Sequence, residues 1–244
     1  MNNLRELGVA MGANRPFIGL QTRGVLGHRM HDTIEDVAAD HLVHMRQHQV
    51  RGPYLIAGYS GGSFAAFEIA RQLRLAGEEV GFVGILDNAA PKFTFQKSGT
   101  MWDRLAYHGG LLRRHGPAPL LRNAKSWLGN KLQPDSVVRL GAALKPEDFR
   151  HVQLTRHWWA ISERYDPAPY DGDVWLLLTE SDLDGFTSLQ LRKSDANYGW
   201  KTLVTGELRV DRHDSSHLTM LKGSAARDLA DLIEAEIQRR GQSG

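Results

Sequence analysis

A five-residue turn, Gly58-Tyr59-Ser60-Gly61-Gly62, restricts the fold of this 244-residue chain more than any other segment. An apolar run, Tyr54-Leu55-Ile56-Ala57, leads straight into it, and a helical pattern from Ser63 to Ala76 leads straight out. A chain that passes from strand to helix this abruptly must turn tightly, and only small residues tolerate the crowding of the two backbones. Gly58 and Gly62 are the positions where that crowding is expected, and Gly61 adds further room. The plainer reading is a glycine-rich turn that happens to carry a serine. A strand on one side and a helix on the other speak against it. No Gly-Lys-Ser/Thr follows, so the turn is not a phosphate loop of the Walker kind.

The surrounding rhythm extends the pattern. Residues 1–14 are helix-like until Arg15-Pro16 breaks them. Phe17-Ile18-Gly19-Leu20 predicts a short buried strand, and Thr22 to Gly27 a loop. Ile34, Val37, Ala38, Leu42 and Met45 then fall at helical spacing, with Thr33 as N-cap and Asp36 three residues on. Gly52-Pro53 closes that element, Gly77 ends the helix after the turn, and Val80 to Leu86 is another apolar run. Short, continuously apolar strands alternating with helices are the pattern of a buried parallel sheet. Because such crossovers are right-handed, the expected class is α/β, with a mostly parallel, doubly wound sheet. Residues 92–165 interrupt the rhythm with Trp102, Trp127, Trp158, Trp159 and several Gly or Pro breaks. The sheet resumes at Val174 to Leu178 and Leu208-Arg209-Val210, and Leu229, Leu232, Ile233 and Ile237 mark a final amphipathic helix. The chain therefore divides into a core part over 1–91, a helical insertion over 92–170 and a second core part over 171–244.

Composition removes several functions. There is no Cys, hence no disulfide, thiol nucleophile or thiolate metal site. No apolar run approaches the roughly 20 residues of a membrane span, and the first residues lack a signal-peptide pattern, so a cytoplasmic protein without membrane contact is expected. A formal charge of +2 gives no reason to expect nucleic acid. The charge is uneven, however. Residues 97–170 hold 12 Lys or Arg against 6 Asp or Glu, a net +6, which leaves −4 for the rest. Such a patch can steer an acidic partner, or it can be the solvated face of Arg-rich helices. His28, His31, His41, His44 and His48 are clustered, and the last three share a helical face. No acid stands between His44 and His48 in the manner of a zinc-protease helix, so surface or boundary histidines are expected, with neither a metal nor a cofactor of the protein's own.

A serine lifted onto such a turn is a nucleophile in waiting, with helix N–H groups aimed at the same place. It needs a base and a group to orient that base. A base late in the chain is expected for this topology. His217, in Asp214-Ser215-Ser216-His217-Leu218, is preferred because small residues allow close approach. His213, just after Leu208-Arg209-Val210, is the alternative. For the acid, Asp87 closes the apolar run ending at Leu86, while Asp182 and Asp184 follow the run ending at Leu178. Residue patterns alone leave these open.

Several stretches together carry a resemblance: Pro16 to Gly24, Gly52 to Ser63, Ala66 to Leu73, Gly84 to Asp87, Gly199-Trp200, and His217-Leu218-Thr219-Met220-Leu221. The chain resembles the thioesterase domains that end non-ribosomal peptide and polyketide assembly lines, within the α/β-hydrolase superfamily. The likeness is strong over about residues 15–91 and weaker elsewhere. It implies an α/β-hydrolase core with a helical lid. It also implies release of an acyl, peptidyl or polyketide chain from the phosphopantetheine thioester of a carrier protein, by hydrolysis or cyclisation. It favours Asp87 as the acid, beside Ser60 and His217, with the Gly61 N–H in the oxyanion hole. A basic lid would suit an acidic acyl or peptidyl carrier. Two departures stand out. The family usually has Gly two residues before its histidine, where this chain has Ser215. The family also places a strand and a His-Pro-Gly-Gly-like loop, whose N–H completes the oxyanion hole, ahead of the helix with which this sequence opens. The resemblance implies that both stand upstream of Met1 or are lacking. Rival functions are a carboxylesterase acting on a free small substrate and a non-catalytic carrier-binding protein.

Overall fold

A computed structural model describes residues 4–12, 15–93, 146–181 and 196–242. Within them the elements are α1 (Arg5–Ala10), α2 (Ile34–His48), β1 (Tyr54–Tyr59), α3 (Gly62–Leu75), β2 (Val80–Leu86), α4 (Pro146–Arg164), β3 (Val174–Ser181), β4 (Leu208–Ser216) and α5 (Gly223–Gly241). The four strands form one sheet in the order β1-β2-β3-β4, every pair parallel. Leu86 stands beside both Tyr59 and Leu177, so the C-terminal ends of the first three strands open together.

Alternation along the strands sends side chains to two separate cores. Val83, Ile85, Val174, Leu176 and Leu178 point to the side where Ala38 and Leu42 of α2 and Phe67, Ala70 and Leu73 of α3 pack. Phe82, Leu86, Trp175 and Leu177 point to the other side, against Leu7 of α1 and Leu229, Ala230 and Ile233 of α5. Strands wetted on neither face have no polar position to spare, which is why β2 and the first part of β3 read as unbroken apolar runs. Each fully buried Leu or Ile there contributes roughly 1.5–3 kcal/mol. The α2 boundary also follows local chemistry: the Thr33 side chain accepts the Asp36 N–H at 3.0 Å, satisfying one of the helix's unpaired donors.

Three sequence expectations need correction. Phe17 to Leu20 is not a strand. A strand exists only through a neighbour's ladder, and among the described residues β1 is paired with β2 alone. Phe17 and Ile18 are accordingly 38% and 51% exposed. The opening helix spans only Arg5–Ala10. β4 runs six residues past Val210, to Ser216, so His213 lies inside a strand and not after one. Polar side chains hid it: Asp211, for example, accepts the Trp175 indole N–H at 2.7 Å across the β3–β4 pair.

Of the expected insertion, α4 is described, while 94–145 lies outside the described residues, including Trp102, Trp127, Arg113, Arg114, Arg122, Lys125 and Lys131. Glu68 ties α4 to the core. This buried carboxylate on α3 accepts the Tyr165 hydroxyl at 2.8 Å and the Arg71 guanidinium at 2.9 Å. Its charge is thereby both paired and hydrogen-bonded, as a buried carboxylate requires. Burial, followed by the Glu68 charge, pushes the Tyr165 phenol far above its ordinary pKa, so it stays a donor.

Candidate active site

The end of β1 delivers Ser60 in a strained backbone conformation, with φ of 52°. A side chain there crowds its own carbonyl, so the surroundings must hold it. They do so with three hydrogen bonds. The Ser60 N–H donates to the Leu86 carbonyl at 2.9 Å, and the Ser60 carbonyl accepts the Ser63 N–H at 2.9 Å. The Ser63 hydroxyl donates back to the Gly58 carbonyl at 2.8 Å, stapling the helix start to the strand end.

The three glycines differ in their reasons. A Cβ on Gly58 would lie 2.5 Å from the Gly62 carbonyl oxygen and 2.6 Å from the Ser63 Cα, both backbone atoms. That is the crowding expected of the turn. A Cβ on Gly62 would meet nothing within 4 Å, so the steric need expected there is absent. A Cβ on Gly61 would lie 2.3 Å from Nε1 of Trp158, which arrives from α4. Gly61 thus makes space for a side chain 97 residues on. The Gly61 N–H takes no backbone carbonyl among the described residues.

His217 follows β4 directly and is 5% exposed. Its Nε2 lies 3.1 Å from the Ser60 Oγ, and its Nδ1 lies 2.8 Å from Asp87 Oδ2. An ionised carboxylate can only accept, so Nδ1 carries the proton and Nε2 accepts from the serine. Asp87 closes β2, is buried, and also has a positive φ, 54°. Thr179 in β3 locks it: the backbone N–H donates to Oδ1 at 2.8 Å and the hydroxyl to Oδ2 at 2.9 Å. Tyr59 fixes the imidazole from the other side, stacking on it with centroids 4.9 Å apart and donating its hydroxyl to the His217 carbonyl.

The structure brings Ser60, Gly61, Asp87 and His217 together from the ends of three strands. His213 is not among them. Its Nδ1 faces the Ser215 hydroxyl at 2.6 Å, and burial pushes its pKa down. Ser215 therefore has a visible task, holding that ring. Asp182 and Asp184 lie outside the described residues. Sequence reasoning missed Thr179, Tyr59 and Trp158 as parts of the site. The signal for Thr179 was available, as the first polar residue after Val174 to Leu178; none marked the others.

The histidine cluster is built differently from expectation. His28, His44 and His48 are exposed, but His41 is buried, and burial lowers its pKa against the pull of Asp40. His31 and His44 point Nε2 at Asp40 from 3.8 and 3.9 Å, while Arg23 donates to the same carboxylate.

With this geometry in place, comparison with known proteins is informative. The sequence model of the family described as thioesterase domain matches residues 7–237. Atromentin synthetase greA of Suillus grevillei is 27% identical over 256 residues, covering 93% of this chain and 24% of that protein. Atromentin synthetase invA2 of Paxillus involutus is 30% identical over 249 residues, covering 93% and 25%. The chain thus spans about a quarter of the length of these curated relatives. Among solved structures, the four-domain nonribosomal peptide synthetase AB3403 superposes with a TM-score of 0.69 at 22% identity, over 97% of this chain and 18% of that one. The NocB thioesterase domain does so at 0.56 and 22%, over 86% and 77%. At such identities the likeness shows the fold, which is that of an α/β-hydrolase.

Proposed function

The chain belongs to the thioesterase domain family, and on that footing we propose that it releases an acyl, peptidyl or polyketide chain from a carrier-bound thioester through an acyl-serine intermediate. The supporting observation is the arrangement of His217 between the Ser60 hydroxyl, at 3.1 Å, and Asp87, at 2.8 Å, with the serine raised on a strained turn. His217 Nε2 takes the Ser60 proton as Oγ attacks the thioester carbonyl. Asp87 keeps Nδ1 protonated and stabilises the imidazolium that forms. The Gly61 N–H donates to the oxyanion. Collapse of the tetrahedral intermediate breaks the C–S bond, and His217 returns its proton to the departing thiolate. His217 then activates water, or a hydroxyl or amine of the acyl chain, to break the ester. The acyl-enzyme route needs no cofactor of its own, because phosphopantetheine arrives with the substrate.

The partner in this reading is an acidic acyl or peptidyl carrier, attracted by the net +6 of residues 97–170. Among the described residues no helix is long and apolar enough to cross a membrane.

The test uses a fluorophosphonate probe and two thioesters, one carrier-bound and one on N-acetylcysteamine. Label should appear on Ser60, and Ser60→Ala should abolish labelling and turnover while the fold persists. Raising salt should lower kcat/KM for the carrier-bound thioester alone, since exposed charges lose their reach beyond the roughly 8 Å screening length of physiological salt. Turnover by Ser60→Ala within tenfold of the parent would end the covalent reading. Equal salt effects on both substrates would end the docking one.

A further inference from the structure

Trp158 carries a polar group that no described residue uses. The indole is held by an apolar cluster of Ile34 and Val37 on α2, Ala65 on α3, Ile161 near the end of α4 and Tyr165 just beyond it. Its Nε1 is buried, and no acceptor among the described residues takes its hydrogen. Indole N–H only donates, and a buried donor without an acceptor is a standing cost that folded proteins rarely retain.

The position of that donor suggests what it is for. Of the indole atoms, Nε1 comes nearest to the place a Gly61 side chain would occupy, at 2.3 Å, ahead of Cδ1 at 2.9 Å and Cε2 at 3.4 Å. The ring therefore presents its N–H edge to the residue that follows Ser60. The Gly61 N–H is itself without a backbone acceptor among the described residues. Two donors without an acceptor among the described residues, one backbone and one side chain, thus stand at the residue that follows the nucleophile. Neither can be satisfied by the other, and among the described residues neither has an acceptor. An acyl carbonyl on Ser60 is such an acceptor, and its oxygen gains negative charge as the tetrahedral intermediate forms.

We propose that the Trp158 indole N–H donates to the acyl oxygen at Ser60, alongside the Gly61 N–H. The assignment rests on the acyl-enzyme reading above. It also explains the middle glycine of the turn, because any side chain at 61 would displace the donor.

Two replacements test it. Trp158→Phe removes the N–H and some volume. Incorporating 3-benzothienylalanine at 158 exchanges only the N–H for sulfur and keeps the ring shape, so it serves if the Phe variant folds poorly. Each is compared with the parent for kcat and KM on an acyl N-acetylcysteamine thioester. A trifluoromethyl ketone, which forms a tetrahedral adduct on Ser60, and the matching non-reactive amide are compared for affinity. Loss of an oxyanion donor costs on the order of 10² in rate. The expected result is a fall of about that size in kcat and in ketone affinity, with KM, amide affinity and melting temperature nearly unchanged. Ketone affinity and kcat within about twofold of the parent would overturn the assignment, and so would a loss shared equally by the amide, which would make Trp158 a packing residue. A parent that fails to label with fluorophosphonate would overturn the acyl-enzyme reading and this assignment with it. Where the parent labels normally, a null result in the variants counts against Trp158 alone.

Discussion

Asp87→Asn should be a severe change for a geometric reason. The carboxylate of Asp87 receives three hydrogen bonds: from the Thr179 N–H on Oδ1, and from the Thr179 hydroxyl and His217 Nδ1 on Oδ2. An asparagine has one oxygen to offer. If that oxygen keeps the Thr179 N–H, its amide group faces His217 and donates to Nδ1. The proton of the imidazole then moves to Nε2, and His217 can no longer accept from Ser60. If the amide flips, its N–H group meets the Thr179 N–H and leaves that buried donor unpaired, at about 1–3 kcal/mol. The first arrangement is therefore favoured, and it holds the wrong tautomer. The same Asp-to-Asn change in a serine-protease triad lowers kcat by roughly 10⁴, equivalent to about 5.4 kcal/mol of transition-state stabilisation. The assay is hydrolysis of an acyl N-acetylcysteamine thioester, beside the rate of fluorophosphonate labelling and a circular-dichroism check of the fold. Both rates should fall together, by roughly three to five orders of magnitude. A folded Asp87→Asn protein within tenfold of the parent would refute the reasoning. It would be decisive if Asp182→Asn or Asp184→Asn were the crippling change instead.

The glycines of the turn should separate cleanly in stability. Gly58→Ala drives a Cβ into fixed backbone atoms of Gly62 and Ser63 and should cost roughly 2–4 kcal/mol, read from the urea midpoint. Gly62→Ala has open space at the first residue of α3 and should be neutral or gain up to about 1 kcal/mol; equal midpoints for the two variants would contradict the steric account. Acid should weaken the fold through His41 and His213, whose pKa values burial lowers from 6.5. The unfolded chain binds these protons more readily, so their contribution is complete above about pH 6.5 and is lost as pH falls from there towards the folded values. Replacing both with Gln should flatten the rise in unfolding free energy between about pH 5 and 7, and an unchanged slope would assign it to other groups.

The strand-turn-helix at Ser60, the runs Val80 to Leu86 and Val174 to Leu178, and the Thr33 cap were legible because each is written in adjacent residues. Local crowding, two-sided burial and a side chain reaching its neighbour's N–H need no knowledge of the rest of the chain. Phe17 to Leu20 shows the limit of that reading. Its residues suit a strand, but strand formation depends on a pairing partner, and local pattern cannot supply one. β4 shows the converse, since polar residues hid a strand that pairing with β3 sustains. The site divides the same way. Ser60 announced itself through its own turn. The choice between His217 and His213 turned on a β4 that runs to Ser216, and the proximity of Asp87 to His217, 130 residues apart in sequence, follows from parallel strands ending at one edge. Thr179 shows only as a polar residue closing an apolar run, and Tyr59 and Trp158 carry no local mark at all. Their positions arise where sheet register and the packing of α4 bring distant segments together, and that nearness is a property of the assembled fold.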